Sequence, residues 1–220
     1  MNEKSASNQV HFSKRYLIIN EVFNAITHGI GLGLSVAGLV ILLYKAANNG
    51  TTIELFSYIV YGSTLMLLYL CSTLYHSLSF TRARKLFKVF DHMSIFLLIA
   101  GTYTPYTLIT IGGSLGWTLF GIVWSIAFIG VMYKALWINH LQKYSTWLYI
   151  IMGWICIFAL KPIYTGLGFN GFLLLLSGGL SFTIGAIFYS LRNVRFMHVV
   201  WHLFVLAGTI FMYFSILFYV

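Results

Sequence analysis

His198 and His202 stand four residues apart, so on a helix both imidazoles share one face, about 6 Å from each other and within reach of a single metal ion. Ser72 and His76 repeat that spacing, which sets a hydroxyl one turn from an imidazole on the same side of its helix. A third histidine, from another helix, would complete a three-nitrogen set. Three neutral imidazoles suit Zn²⁺ and leave a fourth position open, as catalytic rather than closed structural zinc sites do. Asp91 then acquires a role, because a carboxylate beside a dication with only neutral ligands offsets its charge and could hold a water whose pKa falls to about 7. The plainer alternative for each histidine is a packing residue that hydrogen-bonds to its neighbours.

Other polar residues accompany these. Glu21, Asn24 and His28, at spacings of three and four, share a helix face. They either cap a helix and hydrogen-bond between helices, or form a second layer around the metal. His92 adjoins Asp91 but points about 100° away on a helix, and is expected at an interface. His11 and His140 fall in a tail and a loop, with no function expected of either. Cys71 and Cys156 lie inside apolar stretches, as reduced packing residues rather than a disulfide.

The elements that position these side chains follow from composition. The 220 residues are 60% hydrophobic and 8% charged, with a mean hydropathy of +0.87, so a water-soluble globule is excluded. Apolar runs at 21–45, 53–78, 89–110, 115–133, 144–160, 170–190 and 198–219 are each near the roughly 20 residues needed to cross a bilayer. They are too long for barrel strands and lack alternation. The expected fold is therefore all-α, with seven transmembrane helices over residues 21–220 and a cytoplasmic tail at 1–20. Glycines within the spans, Gly29, Gly31 and Gly33 and then Gly178 and Gly179, suit close helix packing, and Pro105 should bend the third span.

The net charge of +9 does not point to nucleic acid, since the basic residues are scattered between apolar runs. They are segregated instead. Lys4, Lys14, Arg15, Arg82, Arg84, Lys85, Lys88, Lys134, Lys143, Arg192 and Arg195 fall on one side, against Lys45 and Lys161 on the other. The positive-inside rule thus places the N-terminus in the cytoplasm and the C-terminus outside. Odd spans then begin, and even spans end, at the cytoplasmic face. Glu21, Asn24, His28, Ser72, His76, Asp91, His92, His198 and His202 all come to that one level, although intramembrane charge costs about 2.5–3.5 kcal/mol per group.

Three segments make the sequence recognisable: NEVFNAITHG at 20–29, STLYHS at 72–77 with FDHMSIFLLIAGTYTP at 90–105, and HVVWHLF at 198–204. Together they resemble the bacterial hemolysin III proteins, the prokaryotic branch of the superfamily that includes the adiponectin and progestin-type receptors. The resemblance implies seven helices in the bacterial plasma membrane and a zinc ion near the cytoplasmic leaflet. It implies His76, His198 and His202 as ligands, with Asp91 and Ser72 beside the metal. The long N-terminal extension of the animal receptors is missing, so hormone recognition does not carry over.

Three functions are compatible with these residues. A zinc hydrolase would cleave an amide or ester bond of a lipid, in the manner of the ceramidase-like activity attributed to related receptors, with Asp91 and Ser72 catalytic. A cytolysin would assemble from several copies into a pore, although a strong positive-inside pattern suits insertion into the cell's own membrane. A zinc-stabilised lipid sensor would bind without catalysis. The expected partners are accordingly a membrane lipid, as substrate or ligand, and further copies of the chain.

Overall fold

The structure is a computed structural model that describes residues 12–137, 142–191 and 193–220. Lys4, His11, His140, Arg192, the side chain of Lys143 and the first part of the 1–20 tail lie outside the described residues. All regular structure among the described residues is helical. Helix α1 spans Lys14–Asn49, α2 Thr52–Ser77, α3 Arg84–Pro105, α4 Gly113–Trp137, α5 Gln142–Gly153, α6 Leu160–Ser190 and α7 Met197–Tyr219. Local chemistry sets several ends. The Ser13 hydroxyl accepts from the Tyr16 N–H at 3.2 Å to open α1, and Thr51 and Glu54 form a reciprocal capping box at the start of α2.

Six helical stretches are long and apolar enough to cross a membrane, so this is a multi-pass membrane protein. The apolar runs expected at 144–160 and 170–190 fall together in one stretch, Ser145–Ser190, of 46 residues. A straight helix of that length would measure about 69 Å, more than twice the ~30 Å hydrocarbon core. The stretch is not straight. It passes through a 3₁₀ segment at Trp154–Ala159 and leaves helical geometry at Gly168, where φ is 65° and ψ is −178°, a conformation that only glycine adopts readily.

Pro105 changes the third helix. Lacking an N–H, it closes α3, and the chain widens into a π-helical segment at Tyr106–Ile111, where the Gly112 N–H reaches the Thr107 carbonyl at 3.0 Å. Helices α1 and α7 run side by side in the same direction. The Phe196 N–H donates to the Tyr16 hydroxyl at 2.9 Å at one end, and Lys45 Nζ donates to the Leu217 carbonyl at 2.9 Å at the other. Helix α2 returns beside α1 and packs tightly at Gly31, where an added Cβ would lie 2.3 Å from the Tyr69 ring. The Tyr69 hydroxyl in turn pairs with Thr209 of α7 at 2.6 Å. Gly178 is also close, an added Cβ lying 2.9 Å from Met212, whereas Gly33 has nothing within 4 Å. Two residues beyond Gly31, Gly33 is turned about 200° around the helix and faces outward, so the expectation of close packing fails there.

Candidate metal centre

The parallel course of α1 and α7, with α2 returning, brings the beginnings of α1, α3 and α7 to one end of the bundle with the close of α2. His76, His198 and His202 meet there. One ring nitrogen from each lies within 4.8 Å of the other two, and the three ring centroids are 4.7–5.1 Å apart. His76 and His202 are buried, at 3% and 2% exposure, and His198 is half-buried. Ligands held at about 2.0–2.1 Å around one tetrahedral ion lie roughly 3.4 Å apart, so side-chain rotations of about an ångström would seat all three.

The surroundings orient the imidazoles for that purpose. The His76 Nδ1–H donates to Glu21 Oε2 at 2.6 Å, which fixes the tautomer and leaves Nε2 as a lone pair. That Nε2, like Nε2 of His198, is buried and has no hydrogen-bond partner. His202 Nδ1 faces the Asn24 carbonyl at 3.3 Å, which can only accept, so its Nε2 too carries the lone pair. The Thr27 hydroxyl adds a 3.4 Å contact to the same Nδ1. Orphaned buried nitrogens, neutral and converging, with a carboxylate behind one of them, are a donor set suited to a divalent cation.

Helix α1 is thus a support rather than a ligand source. Glu21 backs His76 and also meets Arg84 Nη2 at 3.5 Å. Asn24 orients His202 through its main chain, while both atoms of its own buried amide are unpartnered. His28 stacks on His202, ring centroids 3.5 Å apart at 11°, and neither of its nitrogens has a partner. Ser72 is buried beside the Asp91 carboxylate, and it lines a cavity of about 200 Å³ together with His28, Asp91, His198 and His202. Asp91 lies outside the three-nitrogen set yet faces this shared space.

His92 corrects an expectation. It lines the cavity rather than an interface, and its Nδ1–H is shared between the Lys88 carbonyl at 2.9 Å and Asp91 Oδ2 at 3.2 Å. Adjacency in sequence permits this because the ring bends back along the helix to the preceding turn. Sequence reasoning also missed Lys134 and Ser145, hydrogen-bonded to each other on the cavity wall, and Tyr149, whose hydroxyl donates to the His92 carbonyl at 3.0 Å. Cys71 and Cys156 are both free thiols.

Fold and site together define a polytopic helical membrane protein with a three-histidine cluster, able to hold a metal ion, at one end of its bundle. The Haemolysin-III related family model matches residues 16–213, and the chain belongs to that family. Hemolysin-3 of Bacillus cereus is 50% identical over 200 residues, covering 91% of each chain. A Hemolysin-3 homolog of Bacillus subtilis is 44% identical over 204 residues, covering 93% of this chain and 96% of the relative. The Monocyte to macrophage differentiation factor of Homo sapiens is 27% identical over 164 residues, 71% of this chain and 67% of its own, and extends the likeness to the wider receptor superfamily.

Proposed function

We propose that this protein is a zinc-dependent hydrolase of a lipid amide or ester bond, ceramidase-like, seated in the bacterial plasma membrane. Its seven spans have the N-terminus in the cytoplasm. The reading of seven rests on the length of Ser145–Ser190 and the break at Gly168, and the orientation rests on the eleven-to-two segregation of Lys and Arg. His76, His198 and His202 would hold the zinc. Bound there, it would supply a Lewis acid for the carbonyl and lower the pKa of an adjacent water.

The chain's own residues divide the remaining work. Glu21 holds His76 and the Asn24 carbonyl holds His202, each with its Nε2 turned to the cluster. Asp91 meets His92 Nδ1 at 3.2 Å and interacts with the Ser72 hydroxyl, and its two oxygens keep further lone pairs to accept a proton from water entering the cavity. The Ser72 hydroxyl, buried beside that carboxylate, would turn from it to donate to the developing oxyanion. The apolar wall formed by Leu98, Leu119, Ile163 and Met212 excludes water from the acyl chain beyond.

The observation that carries this reading is a second carboxylate, Asp91, on the same cavity as His198 and His202 but outside the three-histidine set. The test is metal analysis and lipid mass spectrometry of the purified protein. His202→Ala should lose both metal and turnover, whereas Asp91→Asn should keep the metal and lose turnover by about 100-fold or more. Turnover that survives both changes refutes the reading. The name Hemolysin-3 suggests a pore for this chain as well; dye leakage from liposomes that persists undiminished in Asp91→Asn would favour that function instead.

A further inference from the structure

Lys134 is the charged group of the cavity that this chemistry leaves unused. It stands in the last turn of α4 with 0% of its surface exposed. Its ammonium donates to the Ser145 hydroxyl of α5, and both residues line the same cavity as His198, His202 and Asp91. A hydroxyl satisfies a proton but does not neutralise a charge, and a buried ammonium without a counter-charge is costly. The chain has only four acidic residues. Among the described residues, Glu21 pairs with His76 and Arg84, Asp91 with His92, and Glu54 caps the opposite end of α2, so no carboxylate pairs with Lys134. The charge acting on it most directly is that of Lys88, a second cation.

We infer that Lys134 receives the phosphate of a glycerophospholipid whose acyl ester enters the cavity, making the substrate an anionic lipid rather than a neutral one. This deepens the hydrolase reading and rests on it for the bond that is cut. The register of α5 supplies the argument for phosphate. Tyr149 reaches the His92 carbonyl at 3.0 Å, which sets it level with the Asp91–His92 pair. Ser145 precedes Tyr149 by one helical turn, so Lys134 lies about 6 Å nearer the end where α5 begins. In a glycerophospholipid the phosphate likewise lies outward of the first acyl ester, by the length of the glycerol. A free fatty acid carries its charge on the acyl carbon itself and could not place the charge at Lys134 and that carbon beside Asp91 together.

The experiment measures binding, not turnover. Purified, metal-loaded protein in detergent is titrated with ether-linked phosphatidylglycerol, which keeps the phosphate and has no acyl bond to cut, and with the matching dialkylglycerol and oleic acid. The phospholipid should bind the wild type about thirtyfold or more tightly than the dialkylglycerol. Lys134→Met and Lys134→Gln should erase that preference, and Lys134→Arg should retain most of it. Metal content reports whether each variant is folded, and two neutral variants guard against the loss of one. A phosphate preference that persists in either folded neutral variant overturns the inference. So does a Lys134-dependent affinity for oleic acid with none for the phospholipid, which would assign the site to a carboxylate. Absence of turnover on ester lipids would count against the hydrolase reading alone, because the ether probe does not depend on it.

Discussion

Replacing Glu21 separates support of the metal from its ligation. The carboxylate accepts from the His76 Nδ1–H at 2.6 Å, with the imidazole 3% and the carboxylate 16% exposed, so this is a charge-assisted bond in a poorly solvated place. Such bonds contribute about 1.5–3 kcal/mol, roughly twice a neutral one. Glu21→Gln keeps an acceptor oxygen but loses the charge, and should cost about 1 kcal/mol, or about fivefold in metal affinity. Glu21→Ala removes the acceptor altogether and should cost about 10- to 100-fold, as loss of a carboxylate behind a metal-bound histidine does. Glu21 also meets Arg84, but at 3.5 Å and with the guanidinium 46% exposed, so Arg84→Ala should change affinity by no more than a few-fold. Competition with a chromophoric chelator in detergent reads all three. Equal affinities for wild type and Glu21→Ala would refute the argument, as would an Arg84→Ala loss as large as that of Glu21→Ala.

Two glycines give predictions about stability, read by thermal unfolding in detergent. Gly31→Ala would set a Cβ 2.3 Å from the Tyr69 ring, whose hydroxyl is held by Thr209 and cannot simply swing aside; a loss of about 1–3 kcal/mol is expected, and an unchanged midpoint would show that α1 and α2 are not so tightly closed. Gly168→Ala meets no atom within 4 Å, so its cost of about 1–3 kcal/mol should come from φ of 65° alone. The same loss for serine as for alanine at 168 would agree with a backbone origin.

The meeting of the histidines was legible from the apolar runs. They set where helices begin and end, so His76 at the close of α2 comes to the same end of the bundle as His198 and His202 at the opening of α7. The pairing of Glu21 with His76 was half legible, since the shared face of Glu21, Asn24 and His28 was visible but not what it faced. Lys134 was hidden for a physical reason. It directly follows the apolar run at 115–133 and reads as a loop charge, yet α4 continues to Trp137. Its inner face is Leu119, Val123, Ala127, Gly130 and Lys134, a helical repeat that extends straight into the lysine. In lipid the outward face is as apolar as the inward one, so hydrophobicity does not mark that repeat. Small residues do, and Ala127 and Gly130 were the signal available.

Ligation and support are distributed so that binding a metal would close the bundle. The ligands come from α2 and α7, while the groups orienting them, Glu21 and the Asn24 carbonyl, both come from α1 between the two. Moving α1 away from α2 would release His76, and moving it away from α7 would release His202. Binding energy that depends on all three helices adds to their association, because a ligand that binds only the assembled state stabilises that state by mass action. At the far end α1 and α7 are held without metal, by Lys45 on the Leu217 carbonyl. Loss of the metal should therefore loosen the histidine end first, with hydrogen exchange rising at Glu21–His28 and Met197–His202 before it rises at Lys45 or Leu217. Uniform exchange along α1 after chelation would mean that the cluster contributes nothing to holding these helices together.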